Sequence, residues 1–512
     1  MDPRHASANH LFAAFRDAMP ALDQALALHA DGRAETYGDA LALSGRLANL
    51  LVARGVKPGD RVAVQVEKSW PALVLYLATV RAGAAYLPLN TAYTLAEVEY
   101  FFTDAEPSVF VCRPEILAEA QALAQKVKVP VVETLGSDGA GSLTAAAAAL
   151  PEAFTDVARR PDDLAAILYT SGTTGRAKGA MLSHDNLLSN ALVLKDYWRF
   201  TRDDVLIHAL PIFHTHGLFV ASNVILLAGA SMIFLPKFDA AEVIALMPKA
   251  TCLMGVPTFY TRLLDQPGLD REAARTMRLF ISGSAPLLAE THRAFQARTG
   301  HAILERYGMT ETNMTTSNPY DGARIAGTVG LPLPGVAVRI TDPESGRVLD
   351  AGEIGMIEVQ GPNVFKGYWR MPEKTRAEFR DGFFITGDLG RIDAAGYVSI
   401  VGRGKDLVIT GGFNVYPKEV ESEIDAIPGV LESAVIGVPH PDFGEGVTAV
   451  VVLKTGARLT EEDLHVALAD RLAKFKQPKK VFFVAELPRN TMGKVQKNVL
   501  RETYRDAYRG TA

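Results

Sequence analysis

Between about residues 60 and 320, short runs with strand chemistry alternate with helical segments, and this alternation limits the fold more than any other feature of the chain. "RVAVQVE", "AYLPLN", "LAAILYT", "VLIHALPIF", "SMIFLPKF", "CLMGVP" and "RLFISGS" read as strands. Between them lie helical stretches such as "SWPALVLYLATVRAG", "HDNLLSNALVLKDYW" and "LLAETHRAFQARTG". Such alternation builds α/β layers with largely parallel sheets. After about 325 the texture becomes rich in Gly and Pro with short alternating strands, as in a small β subdomain reaching about residue 402. A third texture begins at "GRGKDLVITGGFNVYPKEVE" and passes through "ESAVIGVPH", "TAVVVLK" and "EEDLHVALADRLAKF" to "KKVFFVAELPR", enough for a separate small α+β domain. The expected fold is mixed α/β. A large N-terminal domain, residues 1–402, holds the β subdomain at about 325–402, and a small C-terminal domain occupies 407–512.

Composition narrows the function classes. The chain of 512 residues is 48% hydrophobic and 22% charged, a soluble globular balance with room for two to four domains. A formal charge of −5 offers no basic face for nucleic acid. Cys112 and Cys252 are far apart and form no CxxC, so a disulfide framework and a zinc ribbon are unsupported and a reducing cytoplasm is the natural reading. The most apolar stretch, 220–236, is short and carries Ser222, Asn223 and Ser231, which excludes a bilayer span. The first residues lack the continuous apolar core of a secretory signal.

Chemistry concentrates in seven motifs. In "LYTSGTTGRAKGAMLSH", 168–184, an apolar strand runs into hydroxyl and glycine residues, then Lys178, then a helix. Glycines let consecutive N–H groups point inward, and the hydroxyls and lysine add donors for a polyphosphate. It is not a Walker loop, because no Gly-Lys pair precedes Ser or Thr. In "LPIFHTHG", 210–217, His214 and His216 face the same side if the chain is extended, so a metal pair and a buried structural histidine both remain open. "ISGSAPL" and "ERYGMTE" place small residues beside Tyr307, as a purine pocket would require. "FFITGDLG" sets Asp388 after a Thr-Gly turn, where a carboxylate can accept two ribose hydroxyls. "GRGKD" follows at the change of texture, and "PRNTMGKVQK" carries Lys494 on a Gly-containing turn.

Taken together and in this order, the motifs resemble the acyl-adenylate-forming superfamily of acyl-CoA synthetases, luciferases and peptide-synthetase adenylation domains, over about residues 25–500. One departure is Ala177, where the superfamily usually has proline. The resemblance implies ATP, Mg²⁺ and coenzyme A, and an acid activated to an acyl-AMP before a thiol displaces AMP. It assigns Thr170, Ser171, Gly172, Thr173, Thr174, Gly175 and Lys178 to the phosphates, with Gly283, Ser284, Ala285, Glu305, Tyr307, Gly308, Asp388 and Arg403 around the nucleoside. Thr310 would touch the α-phosphate, and Glu311 with Thr173 would hold Mg²⁺. His214 would gate the carboxylate site, and Lys494 would bridge carboxylate and α-phosphate oxygens. Residues 403–406 become a hinge at Lys405 for a mobile C-terminal domain, and Gly411, Gly412 and Phe413 approach coenzyme A. A lysine acetyltransferase or deacylase acting on Lys494 is a conceivable protein partner, since acylation removes the charge.

Arg306 breaks the superfamily pattern, which commonly has a small residue there for an apolar acyl chain. A dicarboxylate explains it: the second carboxylate stays ionised, and a planar fork is its natural partner. Ser282 and Met309 stand beside it as further pocket candidates. "RAKG" with "ERYGMTET" resembles the malonate-activating members of the superfamily, so malonate is the expected substrate. Activation of methylmalonate, acetate, a hydroxy acid or coumarate, and loading of a carrier protein, remain the alternatives.

Overall fold

A computed structural model describes residues 8–170, 177–411, 413–490 and 493–509. Two large sheets form its body. The first has six strands in the order Val131–Thr134, Val109–Cys112, Arg61–Gln65, Ala85–Pro88, Leu164–Thr170 and Lys178–Ser183, all parallel neighbours except the last pair. The second has nine, with a parallel centre of Leu304–Met309, Leu279–Ser282, Cys252–Gly255, Val205–His208, Ser231–Phe234 and Ala25–Leu28. Antiparallel strands close both of its edges.

The helix Trp70–Arg81 is buried on every side. That is the behaviour of a helix apolar all round, packed inside a large protein. One apolar cluster runs from it through both sheets, so the two layers share a core. Among the described residues no helix is long and apolar enough to cross a membrane.

Five antiparallel strands make a third sheet, Ala337–Thr341, Gly355–Gln360, Phe379–Arg380, Phe383–Ile392 and Val398–Arg403, around Val329, Ile340, Ile357, Val359 and Val398. The fourth sheet contains Val408–Thr410, Phe413–Val415, Val430–His440, Gly444–Leu453 and Lys480–Val484. Helices Pro417–Asp425 and Glu461–Leu468 cover one face of it and Lys497–Thr503 the other.

Strand Leu304–Met309 turns back on Asn313–Ser317, with a register shift between Tyr307 and Gly308. A Cβ on Gly308 would lie 1.9 Å from the Asn313 carbonyl oxygen, and backbone cannot swing aside as a side chain can. Gly308→Ala should therefore destabilise the protein by about 1–3 kcal/mol. A urea midpoint equal to that of the wild type would show that the turn relaxes freely.

Candidate active site

The parallel strands of the nine-stranded sheet end on one side, where ligands of α/β sheets gather. Leu279–Ser282 runs on into Gly283, Ser284 and Ala285, and Ser282 pairs in register with Glu305 of the neighbouring strand. The next residue, Arg306, is 3% exposed, and its Nε and Nη2 are buried without a hydrogen-bond partner. Burial draws the guanidinium down to about 9, against the opposing pull of Tyr260 and Glu305. Glu305 does not neutralise it. One Glu305 oxygen accepts the Leu287 N–H at 3.1 Å, and burial pushes the carboxyl up to about 8. Gly283 makes room for the arginine, since a Cβ there would stand 2.3 Å from Arg306 Cζ. Ser282 Oγ, Thr215 Oγ1 and His216 Nε2 are also buried and unpartnered. Met309 is half-buried and packs on the main core.

The extended-chain premise for the two histidines does not hold. The strand stops at His208, and His216 opens a π-helical segment, His216–Ser222, that leads into the helix Asn223–Ala228. The His216 N–H donates to His214 Nδ1 at 3.2 Å. Ser284 holds a φ of +72°, uncommon for a residue with a Cβ, and its hydroxyl stands 3.2 Å from His216 Nδ1. Burial, with the charges of Lys494 and Arg306, lowers His214 to about 3. His216 is held well below the ordinary range by burial and then by Arg306. Both rings are therefore neutral. No group of three His, Cys, Asp or Glu suited to a metal exists among the described residues.

A second group of residues adjoins the first. The Tyr307 hydroxyl donates to Asp388 Oδ2 at 2.6 Å, and Arg403 Nε lies 3.1 Å from Asp388 Oδ1. The aspartate charge raises Arg403, and burial followed by the same charge raises Tyr307. Lys178 Nζ pairs with Glu378 Oε1 at 3.1 Å and sits 4.2 Å from the Tyr368 ring centre. The Tyr368 hydroxyl lies within reach of both Glu378 Oε2, at 2.7 Å, and Glu311 Oε1, at 3.0 Å. Burial raises the Glu311 carboxyl, so an arriving cation would relieve it. One buried carboxylate without a ready-made cage fits a hard ion that travels with phosphates and keeps several waters.

Lys494 enters from the fourth sheet. Its N–H donates to Asn490 Oδ1 at 2.9 Å, and its carbonyl accepts the Asn490 N–H at 2.9 Å. Burial lowers its amine to about 8, reinforced by Arg403 and Arg306 and opposed by Asp388 and Glu311.

Thr170 ends its strand and Thr310 is half-buried beside Glu311, while Lys405 lies in the short turn Gly404–Asp406. Ser171, Gly172, Thr173, Thr174, Gly175 and Gly412 lie outside the described residues. Gly411 and Phe413 are exposed, with Phe413 stacked on Phe475 at 4.7 Å between ring centres. Among the described residues, no hydrogen bond or ion pair joins either to the buried cluster. Sequence reasoning missed Tyr368 and Glu378, which no spacing ties to Glu311 or Lys178.

Residues 15–369 match the family model described as AMP-binding enzyme, and 419–494 match its C-terminal domain model. The crystal structure of ATP-bound MatB from Rhodopseudomonas palustris is 68% identical, covering 98% of this chain and all of that one, with a TM-score of 0.96. The malonate–CoA ligase of Arabidopsis thaliana is 33% identical over 98% of this chain and 91% of its own. A feruloyl-CoA synthase from an Amycolatopsis species is 37% identical over 94% of this chain and 96% of its own.

The unpartnered guanidinium carries a stability consequence. Arg306→Met keeps most of the side-chain volume and removes the buried charge, so the unliganded variant should be more stable by about 1–3 kcal/mol. Chemical unfolding without ligand measures this. A lower midpoint would mean that Arg306 supports the fold.

Proposed function

The chain belongs to the AMP-binding enzyme family, and from that premise we propose that it is an ATP-dependent, AMP-forming ligase that joins malonate to coenzyme A. A malonate oxygen attacks the α-phosphorus of ATP, expelling pyrophosphate and leaving malonyl-AMP. The coenzyme A sulfur then attacks the acyl carbon and AMP leaves. The family and the CoA-ligase relatives support the reaction class. Relatives named as malonate–CoA ligases and the 68% identical MatB support malonate, while a relative named for ferulate also aligns, at 37% identity over 94% of this chain. The observation that favours malonate is Arg306, whose Nε and Nη2 are buried without a hydrogen-bond partner among the described residues, beside the neutral His214 and His216. A long apolar or aromatic chain would leave that charge stranded, whereas the distal carboxylate of malonate would satisfy it.

The remaining roles follow. Ser282 would add a hydroxyl to the distal carboxylate, and His214 would line the reacting one. Lys494 would stabilise charge building on the carboxylate and α-phosphate. Tyr307, with Gly283, Ser284 and Ala285, would hold the purine, Glu305 and Gly308 would shape that wall, and Asp388 with Arg403 would receive the ribose. Lys178 and Thr170, with 171–175, would take the phosphates, beside Thr310. Glu311 would hold Mg²⁺, which screens the phosphate charge when bound. We place the boundary between domains at 403–406, with rotation at Lys405 bringing Gly411, Gly412 and Phe413 towards coenzyme A for the second step. The cytoplasm suits such an enzyme, and an acyltransferase or deacylase acting on Lys494 would switch the first step.

Arg306→Ala should lower kcat/KM for malonate on the order of 10²- to 10⁴-fold, the consequence of losing about 3–5 kcal/mol when a paired charge is stranded. Propionate, with no distal charge, should lose far less, and lysine should rescue malonate only in part. Equal losses on malonate and propionate would give Arg306 a structural or nucleotide role and remove the main support for malonate.

Lys494→Ala should abolish acyl-AMP formation yet convert supplied malonyl-AMP to malonyl-CoA, and acylation of its amine should do the same. With the free amine near 8, the charged form is lost as pH rises through that value. Adenylation kcat/KM, which reports the free enzyme, should fall there. Lys494→Arg should carry any residual activity to higher pH without that step, and a persistent step would assign it to Glu305.

A further inference from the structure

A buried lysine lies outside every role assigned above. Lys68 follows the strand Arg61–Gln65 of the six-stranded sheet, and its side chain reaches the nine-stranded one. Its Nζ donates to His208 Nδ1 at 2.8 Å and to the His208 carbonyl at 2.7 Å, and stands 4.3 Å from the Phe234 ring centre. Two acceptors and a ring face surround the amine, so Lys68 is held at 8% exposure without a carboxylate, and burial draws it well below the ordinary lysine range.

The lysine also decides where the His208 proton sits. A ring nitrogen that accepts from Lys68 leaves the proton of the neutral imidazole on Nε2. Burial, followed by the Lys68 charge, holds His208 well below the ordinary histidine range, in keeping with a neutral ring. The Nε2–H therefore donates to the Gly217 carbonyl at 2.9 Å, which also accepts from Ser222 Oγ at 2.9 Å. Gly217 is the second residue of the π-helical segment, where carbonyls leave the regular ladder and need other donors. On the other side Pro211 passes so close that its carbonyl oxygen would lie 2.1 Å from a Cβ on Gly217, which only glycine allows. His216 begins this turn, and its backbone N–H holds His214.

We propose that Lys68 and His208 are positioning residues for the acid pocket, acting in series from Lys68 through His208 to the Gly217 carbonyl to hold the π-helical turn. That turn sets His214, Thr215 and His216 against Arg306 and so sizes the space for a small dicarboxylate. Only the identity of the acid rests on the function proposed above. A plain structural tie between the sheets would instead weaken every property of the enzyme together.

The test uses the full-length enzyme and three variants: Lys68→Met, His208→Phe, and His208→Gln, which keeps an N–H directed at Gly217. Lys68→Met and His208→Phe should raise KM for malonate by about tenfold or more, while KM for ATP and calorimetric ATP affinity stay within about twofold. His208→Gln should remain within about threefold of wild type for malonate, and Lys68→Met/His208→Phe should be no worse than His208→Phe alone, as a series requires. Parallel rises in the malonate and ATP constants would overturn the proposal. So would a falling melting temperature with an unchanged malonate KM, or loss of ATP binding in both single variants. If the wild type activates a different acid, the substrate reading falls, and the same split measured with that acid still decides the positioning role.

Discussion

An arginine without a counter-charge is the constraint around which this site is arranged. Taking a guanidinium out of water with no acceptor is among the most unfavourable things a fold can do, and Arg306 is nearly sealed from solvent. The pleat explains why its neighbour gives no relief. Successive residues of a strand point to opposite faces, so Glu305 turns towards Leu287 while Arg306 turns towards Gly283. Around the arginine the side chains are small or neutral: Gly283 has no Cβ to clash, both histidines are held uncharged, and Ser282 Oγ has no protein partner. This part of the site is therefore complementary to an anion before any anion arrives.

The adjoining group behaves differently. There each cation has a carboxylate, Lys178 on Glu378 and Arg403 on Asp388. Such pairs are exchangeable, because a phosphate or a ribose can take the place of one member without stranding the other. The contrast shows how a chain of net charge −5 can hold anionic ligands, through local arrangement rather than overall charge. It also separates two kinds of specificity. On the proposed reading, partners already satisfied within the protein would permit a nucleotide, whereas an unsatisfied one would select a particular acid.

Seven strands at the centre of the two large sheets were legible, because apolar runs bounded by turn residues fix their place whatever they pack against. "LAAILYT" is the strand Leu164–Thr170, and "RLFISGS" contains Leu279–Ser282. Reading failed where tertiary contacts decide. "VLIHALPIF" looks like one long strand, yet it ends at His208, and the chain then folds into a π-helical turn close against the Pro211 carbonyl. "EEDLHVALADRLAKF" has helical chemistry throughout, but the helix stops at Leu468. Arg306 stood out because its neighbours are so specific to a nucleotide pocket. Lys68 and His208, or Tyr368 and Glu311, are joined only by the fold across long stretches of chain, and no local pattern announces them.

Lys494 shows how the parts are coupled. Its hairpin is tied internally, with Arg489 Nη1 donating to the Gly493 carbonyl at 2.6 Å and its other nitrogen bonding Glu432. In the proposed reading the lysine would travel with the fourth sheet as a unit rather than as a loose side chain. Docking of that unit would bring a further cation towards Arg306 and Arg403, whose charges add to burial in lowering the amine. A ligand shifts such an equilibrium only by binding one arrangement better than the other. An anion lying between Arg306, Arg403 and Lys494 would do so, since it would meet three positive groups in a docked arrangement and only two without it. On the proposed reading, the same arginine that would select the acid would thus help to make docking of the small domain conditional on the ligands being there.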